Sequence, residues 1–280
     1  MDDLKKVALK LVKNGPVRTL QTPRLVQALF NGRYIVKTTK SVFVWEHPFY
    51  PQLYIPASEI KAYFEARSED LKITPGQEIK GEDDKVIATQ WTLTVSNKSV
   101  DKVLAFSSDL SEPAKELSGL VKIDFASMDQ WFEESTPIFV HPKDPFKRVD
   151  ILQSTRHIRV SIGGQVVADT DSSMHLYETG LPCRYYLPLT RVDASVLRPS
   201  KTVTKCPYKG EAEYYSVEVG GKLYEDVVWY YNRPLLECAK VEGLVCFYNE
   251  KVEIELDGEK LEKPISPFAN RKPGEKPNLD

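Results

Sequence analysis

The chain contains the same module twice, and this repeat constrains the fold more than any other feature. Residues 156–188 align with residues 24–56 without a gap, and seven of the aligned positions are identical. A second matching stretch, 215–219 against 91–95, follows loops of different length. Each copy is large enough to bury its own core, so the repeat predicts two domains of one fold in tandem.

Glycine pairs at regular intervals indicate what that fold is. Asn31-Gly32 and Gly163-Gly164 lie at the same point of the two copies, and Gly220-Gly221 and Asp257-Gly258 follow in the second copy. Such dipeptides favour two-residue hairpins, because both positions take a positive φ. The pattern predicts an all-β fold with short helices, built as two similar, small antiparallel sheets.

Five segments follow from composition and patterning. Residues 1–23 carry an amphipathic helix, whose apolar face we expect to dock on the first domain rather than on a membrane. Three prolines and several apolar residues favour an ordered connection over 136–155. The predicted segments are the helix (1–23), the first β domain (24–135), the strap (136–155), the second β domain (156–260) and a flexible tail (261–280).

Local signals also predict short helices, and the alignment of the two copies extends further along the chain. A helix is expected over 59–66 with Ser58 as its N-cap, and a capping-box pattern predicts another from Ser127. Near the end of the repeat, Phe106 aligns with Tyr230.

Charge and composition exclude several classes of protein. The net charge of −2, from 38 basic and 40 acidic residues, gives no basic surface for nucleic acid. No stretch has the length and apolar character of a membrane span, and the charged N-terminus does not resemble a secretory signal. The four cysteines lack metal-binding spacing. We therefore expect a cytoplasmic protein without a metal or cofactor.

An acid at the end of an apolar strand occurs in both copies. Strand alternation places Glu178 on the face of Met174 and Leu176, and Glu46 on the matching face of the first copy. Burial would raise the pKa of Glu178 and suit it to general acid–base catalysis. The alternative is a structural ion pair, of Glu178 with Arg156 and of Glu46 with Arg24.

A turn in the second copy and one histidine add candidates for catalysis. Cys206 and Lys209 lie three residues apart in the sequence CPYKG, where the lysine cation would favour a nucleophilic thiolate. The alternative is a plain turn with a packed thiol and a solvated lysine. His175 lies two residues from Tyr177 on a strand and could face a pocket, although a structural role is the alternative.

Aromatic side chains with polar tips are concentrated in the second copy. Such side chains suit a pocket for a planar or apolar small molecule, although ordinary sheet packing would also explain many of them. The candidate ligand-binding residues are Tyr177, Tyr186, Tyr215, Trp229 and Tyr230.

Several motifs together resemble the family called domain of unknown function 427, in a tandem form. They include residues 129–134 (DQWFEE), 141–150 (HPKDPFKRVD), 177–180 (YETG), 185–188 (YYLP) and 206–210 (CPYKG). The first copy lacks CPYKG. The resemblance implies a strongly bent, tent-like or half-barrel-like antiparallel sheet. The family is sometimes given a nucleotidyltransferase-like name, but this chain contains no phosphate-binding loop motif.

These observations lead to a functional expectation centred on the second copy. We expect a cofactor-free enzyme of the isomerase, dehydratase or cyclase type, with Glu178 moving a proton and Lys209 or a tyrosine stabilising charge. A binding module that senses or carries a small molecule without turnover is one alternative. A scaffold that binds another protein is the other.

Overall fold

The chain forms two compact units, each with its own sheets. The structure is a computed structural model that describes residues 2–67 and 70–266. The units are Met1–Asp144 and Pro145–Asp280, so the division falls inside the predicted strap. Strand residues occur near both ends of that strap, one strand in each unit. Most of the predicted tail, 267–280, lies outside the described residues.

The first unit contains two helices and eleven strands within the described residues. The helices are α1 (Asp2–Asn14) and α2 (Ala57–Glu65). Single 3-10 turns occur at Lys115–Leu117 and Phe125–Ser127. The strands are β1 (Arg18–Gln21), β2 (Val26–Phe30), β3 (Arg33–Thr38), β4 (Val42–Trp45), β5 (Gln52–Pro56), β6 (Leu71–Lys80), β7 (Val86–Val95), β8 (Lys98–Phe106), β9 (Leu120–Ile123), β10 (Gln130–Glu133) and β11 (Thr136–Ile138).

The second unit repeats this plan with eleven described strands and 3-10 turns in place of α-helices. The turns are Leu189–Arg191, Ala194–Val196 and Leu236–Val241. The strands are β12 (Val149–Ser154), β13 (Ile158–Ile162), β14 (Gln165–Thr170), β15 (Ser173–Glu178), β16 (Arg184–Pro188), β17 (Leu197–Cys206), β18 (Gly210–Val219), β19 (Lys222–Tyr230), β20 (Leu244–Phe247), β21 (Glu253–Leu256) and β22 (Glu259–Lys260).

The two units share one topology, which confirms the predicted tandem all-β fold. In unit one the seven-stranded sheet runs β1-β4-β5-β9-β8-β7-β6, and in unit two it runs β12-β15-β16-β20-β19-β18-β17. A four-stranded sheet accompanies each, β11-β10-β2-β3 and β14-β13-β21-β22. Both sheets of each unit are open rather than closed into a barrel.

The predicted hairpin turns are all present. Asn31 and Gly32 have φ values of 48° and 71°, and Gly163 and Gly164 have values of 57° and 81°. These dihedrals are the positive-φ conformations that a two-residue hairpin requires. They connect β2 to β3 and β13 to β14.

The inner strands of the seven-stranded sheets are buried on both faces. In unit one, Phe43 of β4 faces a core shared with the four-stranded sheet, and Val44 faces a second core covered by Ala8 and Leu11 of α1. In unit two, Leu187 lies in the core between the sheets, while the opposite face is covered partly by the turn Leu236–Val241. Alternation along these strands therefore sorts side chains between two interiors rather than between core and solvent.

The helix predictions need two corrections. Helix α2 begins directly after Pro56, which occupies the N-cap position, so Ser58 is not the cap. The capping-box helix predicted from Ser127 is wrong, because Gln130–Glu133 forms strand β10 and pairs with β2. Burial of Trp131 opposite Ala28 outweighs the local capping signal. Helix α1 ends at Asn14, so the segment 1–23 also contains β1.

A larger bulge in the second unit changes which aromatic residues face Glu178. In the ladder of β7 with β8, Thr92 lies opposite two residues of β8 (101–102). In the ladder of β18 with β19, Ser216 lies opposite three residues of β19 (225–227). One extra residue moves the following side chains to the other face. The structural counterpart of Phe106 is therefore Tyr231, and the alignment of Phe106 with Tyr230 is wrong.

Within the described residues, helices are too short or too polar to cross a lipid bilayer.

Candidate functional site

Glu178 lies on the predicted face of strand β15, at the edge of a buried cluster. The side chain of Leu176 on the same face is fully buried, and the Glu178 side chain is only 5 % exposed. A carboxylate in this position needs partners, because burial without them carries a large desolvation penalty.

Two lysines supply those partners. Lys209 Nζ donates a short hydrogen bond to Glu178 Oε2, and Lys147 Nζ lies 3.5 Å from Oε1. The structural alternative with Arg156 is wrong, because Arg156 pairs with Asp257 at 2.6 Å. Arg24 likewise pairs with Glu133 rather than Glu46.

The ion pair shifts the pKa values of Glu178 and Lys209 in opposite directions. Burial alone would raise the pKa of Glu178, but Lys209 and Lys147 outweigh it and lower that pKa. Burial works against the charge of Lys209, whereas Cys206 and Glu178 raise the lysine pKa above its usual value. The expectation of a raised Glu178 pKa is therefore wrong. The carboxylate and the ammonium are both charged at neutral pH.

Cys206 also lies in this cluster, beside Lys209. Strand β17 ends at Cys206, and Gly210, which begins β18, pairs with it across the turn. This geometry places Lys209 Nζ 3.9 Å from Cys206 Sγ. The lysine side chain is 11 % exposed, so the alternative of a solvated Lys209 is wrong.

Unit one forms the same kind of pair with a lysine from another position. Lys122 Nζ of β9 lies 2.5 Å from Glu46 Oε1, and Tyr54 Oη donates to the same oxygen at 2.9 Å. The corresponding position of β20 in unit two is Cys246, so the two lysines have different origins. Sequence reasoning missed Lys122, although its place opposite Tyr54 on β9 would have indicated it.

Aromatic side chains extend the Glu178 face of unit two. Trp229 Nε1 donates to Tyr186 Oη at 3.1 Å, and the two rings meet edge to face at 6.3 Å. Tyr231 belongs to the same buried cluster. Of the predicted ligand-binding residues, Tyr186 and Trp229 therefore lie on the face of Glu178, together with Tyr231, which the alignment had missed.

His175 and Tyr177 point to the opposite face of strand β15. His175 is 3 % exposed and packs edge to face on Tyr185 at 4.8 Å. Its Nε2 has no hydrogen-bond partner within the described residues. The structure therefore does not bring His175 together with Glu178, Lys209 and Cys206.

Tyr177 and Tyr185 surround a second thiol, that of Cys183. Both hydroxyl groups act to lower the pKa of the thiol, against the effect of burial. Burial raises the pKa of the Cys183 thiol, and burial with the neighbouring sulfur raises the pKa of Tyr185 to about 12. The three groups are therefore neutral hydrogen-bonding groups at neutral pH.

Tyr215 and Tyr230 form a third, separate pair. Their rings stack at 4.8 Å, and Tyr230 Oη donates to Glu213 at 3.1 Å. Both rings pack against the core between the two sheets. The predicted ligand-binding residues thus lie in three places rather than around one pocket.

A cavity of about 210 Å³ lies next to the Cys183 cluster. Its polar lining comes from Cys183, Tyr185, Asn249 and Glu262, and its apolar lining includes Val252, Ile254 and Leu261. Asn249 is buried, and its Nδ2 donates to the Cys183 carbonyl at 2.9 Å. Its Oδ1 has no partner in the described part of the chain, so an acceptor beside the cavity is unsatisfied.

Unit one has a broader groove between α2 and strands β6 to β8. Its volume is about 850 Å³, and Phe64, Trp91 and Phe106 contribute to its apolar lining. Lys61 and Glu65 of α2 also line it, and Lys61 Nζ lies 5.4 Å from the centre of the Trp91 ring. Unit two has 3-10 turns where α2 lies, so this groove belongs to the first copy.

The residues described by the structure contain no group of three histidine, cysteine or acidic side chains placed to hold a metal ion.

The fold and the site together define a protein of two bent antiparallel β units in tandem. The second unit contains the cluster of Glu178, Lys209 and Cys206. The chain belongs to the family described as "Domain of unknown function (DUF427)", whose model matches residues 18–134 and 150–258. A search of curated proteins found no match.

Proposed function

We propose that the second unit binds a small organic molecule in the cavity beside Cys183. The observation that carries this proposal is that Cys183, Tyr185 and Asn249 line one hollow together with apolar side chains. A few oriented polar groups in an apolar pocket are the usual composition of a small-molecule site.

The cavity limits the size and chemistry of its ligand. Its 210 Å³ is below the roughly 300–1,000 Å³ typical of drug-sized ligands, so the occupant is a small metabolite. The polar lining of Cys183, Tyr185 and Asn249 favours a ligand with hydrogen-bonding groups, such as a hydroxyl or amide group. Val252 and Ile254 favour a ligand that also has a compact apolar part.

Native mass spectrometry of the full-length protein tests this binding site. We expect a co-purified compound, or a member of a library of small neutral alcohols and amides, to remain bound to the protein. Leu261→Trp fills the cavity and should remove that bound mass, whereas Leu236→Trp at a position 89 % exposed should retain it. Equal retention by both variants would contradict the proposed location.

A second candidate function is the cofactor-free acid–base enzyme. The observation in its favour is that Glu178, Lys209 and Cys206 meet in one cluster. In this proposal the buried ammonium stabilises negative charge that develops on the substrate, and the carboxylate moves a proton. An isomerisation, dehydration or cyclisation needs only such proton movements.

Turnover separates the enzyme from the binding module. A small molecule recovered from the protein is incubated with wild type, Glu178→Gln and Lys209→Ala, and its mass and chromatographic retention are compared before and after. An enzyme changes the molecule in wild type and loses this activity in both variants. Near-normal turnover in both would end the acid–base proposal.

We also infer a reducing compartment for the protein. All four cysteines lie within the described residues and are free thiols. Free thiols of this number are typical of cytosolic rather than secreted proteins.

A further inference from the structure

We propose that Cys206 and Lys209 are a peroxide-dependent modification site, at which the two side chains become joined by a sulfur–nitrogen bond. The proposal does not depend on either function above. Its basis is the distance of 3.9 Å between Lys209 Nζ and Cys206 Sγ, combined with a turn that keeps the two side chains together.

The turn is held in a conformation that only glycine adopts easily. Gly210 has a φ of 102°, and a Cβ atom at this position would lie 3.2 Å from the Arg233 carbonyl oxygen. Cys206 pairs with Gly210 at the end of the hairpin. The backbone therefore fixes where both side chains begin, and Glu178 fixes the end of the lysine.

Cys206 differs from the other cysteines in its surroundings. Cys238 and Cys246 are fully buried, and burial raises the pKa of Cys238 to about 11. Cys183 is partly exposed, but burial raises the pKa of its thiol. Cys206 is partly exposed and lies beside an ammonium group. An accessible sulfur next to a cation is the usual setting of an oxidant-sensitive thiol.

The chemistry requires one molecule of hydrogen peroxide as the oxidant. The Cys206 sulfur attacks one peroxide oxygen, the O–O bond breaks, and a sulfenic acid and one water form. Lys209 loses one proton to a hydroxide ion of the solvent, while Glu178 remains a carboxylate paired with Lys147. Its free amine then attacks the sulfur, the S–N bond forms, and the sulfenic hydroxyl leaves with an amine proton as a second water.

The balance is a two-electron oxidation of sulfur. Thiol, amine and hydrogen peroxide give a sulfenamide and two waters, so the protein loses two hydrogen atoms, about 2 Da. Two equivalents of an added thiol reverse the reaction, returning the cysteine and the amine and forming a disulfide. The bond removes the charge of Lys209, leaving Lys147 at 3.5 Å as the cation beside Glu178.

Tryptic mapping of the full-length protein after treatment with hydrogen peroxide tests the proposal. Cleavage after Lys205 and Lys209 normally releases residues 206–209. The sulfur–nitrogen bond blocks cleavage at Lys209, so we expect a peptide covering 206–222 that has lost two hydrogen atoms. Dithiothreitol before digestion should restore the 206–209 peptide.

Two matched lysine variants separate this bond from ordinary thiol oxidation. Lys209→Arg retains a cation but lacks the amine, and should give a Cys206 sulfenic acid that dimedone traps, with no loss of two hydrogens. Lys205→Arg, at the end of strand β17 next to the turn, should behave as wild type. Wild-type Cys206 that remains a thiol, or ends only as a dimedone adduct or sulfinic acid, overturns the proposal whether or not the variants fold.

Discussion

At the scale of single residues, the central feature is a buried acid that each unit neutralises with lysine. The side chains of Glu178 and Lys209 are 5 % and 11 % exposed, and those of Glu46 and Lys122 are both 13 % exposed. Because solvent cannot replace a lost partner at such sites, the loss of one member leaves an uncompensated charge in the interior.

We predict that Glu178→Gln destabilises the protein by about 3–5 kcal/mol, the range for breaking a buried pair from one side. Urea unfolding measures the change. Glu211→Gln is the matched control, since Glu211 pairs with Lys205 while 55 % exposed, and its loss should cost about 1 kcal/mol or less. Equal free energies of unfolding for the two variants would contradict a stabilising role for the pair.

The stability difference between wild type and Glu178→Gln should depend on pH. The pKa of Glu178 is lowered in the folded state, so its contribution is complete above the pKa of an unfolded glutamate, about 4.3. The contribution declines as pH falls from there through the lower folded pKa. Urea unfolding at pH 7 and at about pH 3 should therefore show a smaller difference in acid; a constant difference would argue against this assignment.

At the scale of elements, helix α1 supplies side chains to one of the two cores of unit one. Ala8 and Leu11 are fully buried against Val44 and Tyr54. The helix thus covers the same sheet face that carries Glu46. This contact explains why an isolated, charged N-terminal segment holds a helix of 13 residues.

We predict that Leu11→Ala destabilises unit one by about 2–5 kcal/mol, because it leaves a cavity beneath α1. Lys6→Ala, on the exposed side of the same helix, is the control and should change the free energy of unfolding by about 0.5 kcal/mol or less. Thermal or urea unfolding distinguishes the two, and similar values would place Leu11 outside the core.

Elements also show where sequence reasoning succeeds. The glycine-containing hairpins are specified by local backbone requirements, so Asn31-Gly32 and Gly163-Gly164 predict them directly. The face of Glu178 follows from alternation within one short strand. The bulge opposite Ser216 has no such local signal, and an alignment cannot show that it exchanges Tyr230 for Tyr231.

The lysine partners of Glu178 could not be predicted from the sequence, because they are far from it along the chain. Lys147 precedes strand β12, and Lys209 lies in the turn between β17 and β18, so only the assembled sheet brings them to the same carboxylate. The CPYKG motif indicated that Lys209 mattered without indicating what it touches. Sequence could identify the acid, but not the cation that sets its pKa.

At the scale of the whole molecule, each unit contains everything that a stable domain needs. In the described residues, every strand ladder joins strands of one unit, and each unit has its own two apolar cores. Four-stranded and seven-stranded sheets enclose one of those cores in each case.

We therefore predict that residues 145–280, produced without the first unit, form a folded β protein. The far-ultraviolet circular dichroism spectrum should show β structure, and urea should unfold the fragment in one cooperative transition. A spectrum of an unfolded chain would show that the second unit requires the first.

The different origin of the two lysines also has a steric consequence. In unit one, Lys122 pairs across the sheet with Leu104, whereas in unit two Cys246 pairs with Trp229. A leucine thus lies beside the long side chain of Lys122, and an indole lies beside the smaller side chain of Cys246. The second unit takes its cation, Lys209, from the hairpin instead. The indole of Trp229 therefore lies where unit one has Leu104, and it donates a hydrogen bond to Tyr186.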